Sequence, residues 1–148
     1  MSTGRNVPPG QLPPGAGQAA LPVLAVLFVD PDMAAAERLA SGLRGRCPVA
    51  VVGSGQAAQA AIAQRIPDLI VTELDLPDAN GLELIKRLRS TPATRHVLFI
   101  VVTRRTAVRD KIAAFQVGAD DYLVKPVDPD QFETHMLLVS KFRKVIPN

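Results

Sequence analysis

Four acidic side chains, one hydroxyl and one ammonium stand where short apolar runs end: Asp30 and Asp32 after the first run, Glu73 and Asp75 after the third, Thr103 after the fourth and Lys125 after the fifth. If those runs lie side by side as parallel strands, their carboxyl ends bring these groups to one shallow site. Clustered carboxylates repel one another and suit a hard divalent cation with oxygen ligands. A hydroxyl and a lysine opposite them suit a phosphoryl group, because each can donate to its oxygens. Each residue alone has a plainer role: Asp32 and Thr103 as helix caps, Lys125 as a surface lysine. The functional reading rests on all of them converging in order.

Other chemistries find little support. Gly53-Ser54-Gly55 has neither the third glycine of a dinucleotide loop nor a phosphate-loop lysine after it, and reads as a turn followed by a helix cap. His96 and His135 lack metal-ligand spacing, and no Ser/His/Asp or Cys/His arrangement is evident. A flavin enzyme is disfavoured by the missing phosphate loop and by the absence of tryptophan. The single cysteine, Cys47, cannot make an internal disulfide, so a reducing, cytoplasmic setting is expected. A net charge of +3, scattered among acids, predicts no nucleic-acid partner. The run Leu21 to Val29 is too short to span a bilayer, and no membrane partner is expected.

The elements that must position the site alternate regularly. Residues 1–22 are dominated by Pro, Gly and small side chains and predict a disordered tail. Residues 23–146 form the expected domain. Its strands are Leu24–Val29, Val49–Val52, Leu69–Glu73, Val97–Val102 and Tyr122–Val124. Between them, helical spacing predicts Met33–Arg44, a helix capped by Ser54 with Ala58, Ile62 and Ile66 inward, Leu82–Arg89 with Leu82, Ile85 and Leu88 inward, and Arg105–Val117 carrying Val108, Ile112 and Phe115. Asp128 caps a last helix that begins at Pro129 and places Phe132, Met136 and Val139 on one face. Strands apolar throughout must be covered on both faces. The expected fold class is therefore α/β, a doubly wound five-stranded parallel sheet with five helices, and its ligands belong at the strand ends.

Two stretches carry a family resemblance. Pro67 to Arg89, PDLIVTELDLPDANGLELIKRLR, resembles the phosphoacceptor region of response-regulator receiver domains of the chemotaxis-regulator type. Gly118 to Phe132, GADDYLVKPVDPDQF, resembles their C-terminal signature. The likeness runs from about Leu24 to Lys144. It implies a flavodoxin-like sheet in the order 2-1-3-4-5, a cis Lys125–Pro126 peptide, and a two-component signalling role in phosphorelay. It also implies Mg2+ held near Asp30, Asp32, Glu73 and Asp75, and a switch in which Thr103 draws the aromatic Tyr122 inward.

Three positions depart from the family pattern. The phosphoacceptor place, four residues before Pro77 and eight before Gly81, holds Glu73 rather than an aspartate. Asp75 lies where the family offers only a backbone carbonyl to the metal. Pro31 replaces the second of two adjacent acids, and Arg104 follows Thr103 where the family keeps a small residue. Glutamate carries its carboxylate outward by one bond, about 1.5 Å. Displacement on the order of 1 Å can cost roughly a hundredfold in a placement-dependent transfer. Arg104 is expected to crowd the pocket or pair with Glu73, and Glu73 to reach Lys125 and Thr103. The sequence thus predicts an atypical receiver, not an enzyme, that works by protein contact with impaired or absent phosphorylation and does not require Mg2+, the one cofactor the site could take. Its partner would be a histidine kinase or a downstream signalling protein, with homodimerisation through the face of the fourth helix, fifth strand and fifth helix. The alternative is a Mg2+-dependent phosphoacceptor that takes phosphate from a histidine kinase on Glu73 or Asp75. No output domain is expected after the fifth helix.

Overall fold

The computed structural model describes residues 24–145, with side chains to 142. The expected tail, 1–22, and the end of the expected domain lie outside the described residues. Ten elements alternate: β1 (Val26–Val29), α1 (Met33–Ala40), β2 (Val49–Val52), α2 (Gly55–Gln64), β3 (Leu69–Thr72), α3 (Gly81–Arg89), β4 (Leu98–Thr103), α4 (Val108–Val117), β5 (Asp121–Val124) and α5 (Pro129–Val145). The five strands are parallel in the order β2-β1-β3-β4-β5. This is the fold class and strand order expected.

Alternate side chains of the inner strands feed two cores. Val26, Phe28, Val71, Ile100 and Val102 meet α1 and α5, where the Phe28 and Phe132 rings lie 5.6 Å apart. Leu27, Val29, Ile70, Phe99 and Val101 meet α2, α3 and α4. Each fully buried side chain of this size contributes roughly 1.5–3 kcal/mol relative to exposure. Phe132, Met136 and Val139 of α5 are buried as expected.

Several helices depart from their expected extents. α1 stops at Ala40, and turns carry the chain through Gly42 and Gly45, the latter at φ 82°. Leu43 stays buried although it has left the helix, whereas Met33, at the helix start, is exposed. Ile66 is exposed and lies beyond α2, because Pro67 after it disfavours helical backbone. In α3, Leu84 is buried with Ile85 and Leu88, and Leu82 only partly so.

The largest departure is α4. It begins at Val108 rather than Arg105, and Val108, Ile112 and Phe115 are 68%, 50% and 49% exposed. The helix turns Ala114 to the sheet instead, a small residue that lets it pack closely. It ends at Gly118, whose φ of 115° favours glycine. The guanidinium of Arg89 reaches the Gly118 carbonyl at 2.7 Å, the Asp120 carboxylate at 3.1 Å and the Val97 carbonyl, tying α3 to the α4–β5 turn.

Candidate functional site

Parallel pairing carries one residue beyond each strand. The Glu73 amide donates to the Val29 carbonyl at 2.9 Å, the Asp30 amide to Val52 at 2.9 Å, and the Lys125 amide to Thr103 at 2.8 Å. Asp30, Glu73 and Lys125 therefore leave the sheet at one edge. The Lys125–Pro126 peptide is cis, as the resemblance implies. Gly81 closes the site from α3, since a Cβ there would run into the Glu73 carbonyl.

Lys125 sits between the two carboxylates. Its Nζ lies 2.8 Å from Asp30 Oδ2 and 3.0 Å from Glu73 Oε1. Burial lowers its affinity for a proton, but the hydrogen bonds it donates to Asp30 and Glu73 outweigh that, and its pKa ends above the ordinary lysine value. Glu73 is 7% exposed, and its other oxygen, Oε2, accepts from the amides of Leu74 at 2.6 Å and Asp75 at 3.2 Å. Both carboxylate oxygens are thus engaged by the protein. Beside them opens a cavity of about 110 Å3, lined in part by Asp30, Arg38, Glu73, Arg104 and Lys125 over Phe28 and Leu39.

The remaining predicted residues are not gathered here. Asp32 caps α1 through the Ala35 amide at 3.1 Å, and its own amide donates to Asp30 Oδ1 at 2.9 Å across exposed Pro31. Asp75 turns to Arg105, which holds it at 2.6 and 3.0 Å. The Arg105 hydrogen bonds keep the Asp75 carboxyl below its usual range. Of the four carboxylates expected around a cation, those of Asp30 and Glu73 meet at Lys125 while those of Asp32 and Asp75 turn away, and among the described residues no group of three or more His, Cys, Asp or Glu could hold a metal.

Arg104 takes the first of its two expected places, at the pocket, and the expected contact of Glu73 with Thr103 is corrected. Arg104 lines the cavity, but Glu73 pairs with Lys125. Thr103 is buried and accepts from the Arg105 amide at 3.4 Å rather than meeting Glu73, because the Glu73 carboxylate is drawn to its own loop amides.

Tyr122 is buried in the α2–α3–α4 core, and its hydroxyl donates to the Arg105 carbonyl at 2.9 Å. Burial raises its phenol pKa. Sequence reasoning missed two residues of the loops after β3 and β4. Arg105 was assigned to a helix, and nothing but its charge, two places after Thr103, points to Asp75. Asp78 accepts from the Gly55 and Gln56 amides at 2.8 Å each, so the loop after β3 caps α2. An aspartate beside a proline is a cap signal, but not for a helix 22 residues earlier in the chain.

Residues 26–137 match the response regulator receiver domain family. Among curated proteins, the chain is 36% identical over 107 residues to the DNA-binding response regulator MtrA of Mycobacterium tuberculosis H37Rv, covering 72% of this chain and 46% of that protein. It is 37% identical over 102 residues to the probable transcriptional regulatory protein TcrX of the same strain, covering 68% and 43%. The chain thus spans less than half the length of these relatives. Among solved structures, a response regulator of Chloroflexus aurantiacus J-10-fl is 33% identical at a TM-score of 0.74, over 80% of this chain and 98% of that one. The chemotaxis response regulator CheY4 of Vibrio cholerae shares the fold at a TM-score of 0.73 and 23% identity, over 80% and 99%. Because relatives such as MtrA are DNA-binding by name, the expectation of no nucleic-acid partner is not supported for the whole protein. No helix among the described residues is long and apolar enough to cross a membrane.

Proposed function

The chain belongs to the response-regulator receiver domain family of two-component signalling, and we propose that it is an atypical member that signals by protein contact, with phosphorylation impaired or absent. The observation that carries this reading is the Glu73 carboxylate, both of whose oxygens already accept hydrogen bonds from the protein. In-line transfer needs a carboxylate oxygen free to approach phosphorus. Here Lys125 takes one oxygen of Glu73 and two backbone amides take the other. The same Lys125 occupies Asp30, Pro31 supplies no acid, and Arg105 holds Asp75. A phosphoryl group would have to displace these contacts and accept a carboxylate set one bond too far out.

On this reading Glu73 gives Lys125 permanently a part of what an acyl phosphate would give it, with one negative charge in place of roughly −1.5 to −2. The domain works as a binding module rather than as an enzyme. Its partner is a histidine kinase or a downstream signalling protein, or a second copy of the chain. The face of α4, β5 and α5 fits that role, since Val108, Ile112 and Phe115 lie in one exposed apolar stripe on α4 and Leu138 and Phe142 are exposed on α5.

The reading requires no divalent ion, and thermal unfolding with and without millimolar Mg2+ tests this. Ligand binding to the folded state raises stability by mass action, about 2.7 kcal/mol at a hundredfold excess over Kd. The expected result is an unchanged Tm for the wild type. A clear rise would support the alternative, a Mg2+-dependent phosphoacceptor using Glu73 or Asp75.

A further inference from the structure

Arg105 engages Asp75, Thr103 and Tyr122 at once. Its guanidinium grips Asp75 from Nη2 at 2.6 Å and Nε at 3.0 Å, with Asp110 Oδ1 at 3.6 Å. Its main-chain amide donates to Thr103 Oγ1 at 3.4 Å, and its carbonyl accepts the Tyr122 hydroxyl at 2.9 Å. Asp75 belongs to the loop after β3, Arg105 to the loop after β4, and Tyr122 to β5. One residue therefore joins three adjacent strand ends, and the exposed stripe of α4 begins three positions after it, at Val108.

We propose that the Asp75–Arg105 ion pair is a latch. It fixes the loop between β4 and α4 so that the Arg105 carbonyl stays where the buried Tyr122 hydroxyl can donate to it, and so sets the position of α4 and its apolar stripe without any phosphoryl group. The geometry has the parts of such a device. A carboxylate held from two nitrogens fixes direction as well as distance. Tyr122 has its hydroxyl satisfied only while that carbonyl faces it, and a buried phenol left without an acceptor is disfavoured. The pair is open to solvent, with side chains 45% and 60% exposed, so a competing ion or partner group can reach and undo it. Its strength is correspondingly modest. An exposed pair of this kind shifts a two-state ratio by roughly two- to fivefold. The Asp75 amide belongs to the Glu73 network, but the latch is made by the Asp75 carboxylate, which Arg105 holds and Glu73 does not, so the ion pair forms whether or not Glu73 accepts a phosphoryl group.

The sequence supplies a clean readout, since Tyr122 is the only tyrosine and there is no tryptophan. Tyrosine fluorescence quenching by acrylamide, measured at low salt on the full chain, reports the burial of Tyr122 alone. Asp75→Asn removes the charge at constant shape. It is expected to raise the exposed population of Tyr122 by roughly two- to fivefold. Salt at about 1 M should do the same to the wild type and little to the variant. The exchanged double variant, Asp75→Arg with Arg105→Asp, should return quenching toward the wild-type value, which separates the ion pair from general loss of folding. Unchanged quenching in Asp75→Asn overturns the latch. A phosphoryl adduct on Glu73 with the latch intact would overturn only the proposal of impaired phosphorylation.

Discussion

Lys125 carries the electrostatics of the site. Placed 2.8 Å from Asp30 and 3.0 Å from Glu73, it is the cation that makes two buried carboxylates tolerable at one strand edge. Replacing it with methionine keeps the volume and removes the charge. Loss of one partner from a buried charged cluster costs roughly 3–5 kcal/mol, because the charges left behind cannot regain water. Lys125→Met is therefore expected to lower the unfolding free energy extrapolated from urea titration by that amount at neutral pH, with a matching fall in the midpoint. An unchanged midpoint would show that the cluster is solvated in solution. The pH dependence follows from the raised lysine pKa. A group whose folded pKa exceeds its unfolded value gives stability that is complete below the ordinary lysine range and is lost as pH rises through the higher folded value. The wild type should show this alkaline loss, and Lys125→Met should lack it.

At the scale of the element, α4 is the helix whose outward face most resembles an inward one. Its apolar residues Val108, Ile112 and Phe115 keep helical spacing, so the sequence shows that a stripe exists but not which way it faces. The sheet beneath accepts Ala114, and close packing there leaves the large side chains outside. Exposed substitutions of this kind usually change stability by no more than about 0.5 kcal/mol. Phe115→Glu should therefore leave thermal unfolding nearly unchanged while weakening self-association, or capture by a signalling partner, in sedimentation velocity. A large loss of stability with association intact would mean that Phe115 packs within its own chain. The strands were far more legible than this helix. A run such as Leu98–Val102 is apolar throughout because both its faces are covered, and that pattern requires no knowledge of its neighbours.

Across the whole molecule, the sequence placed Asp30, Glu73, Thr103 and Lys125 at the strand ends, and they lie there in the structure. It could not show which of them touch. The Glu73–Lys125 contact spans 52 positions and the Asp75–Arg105 contact 30, and each depends on loop geometry that local pattern does not encode. Asp32 illustrates the other limit, since the same residue type at the same place serves as a metal ligand or a helix cap, and the chain uses it as a cap. The resulting structure retains the receiver architecture, and on the proposed reading its acceptor position is filled by a glutamate already held from both sides. The measurement that tests this most directly is intact-mass spectrometry after incubation with Mg2+ and acetyl phosphate, with Glu73→Asp alongside. The wild type should show no phosphoryl increment while the aspartate variant gains one; an increment on the wild type, mapped to Glu73 or Asp75, would contradict the account.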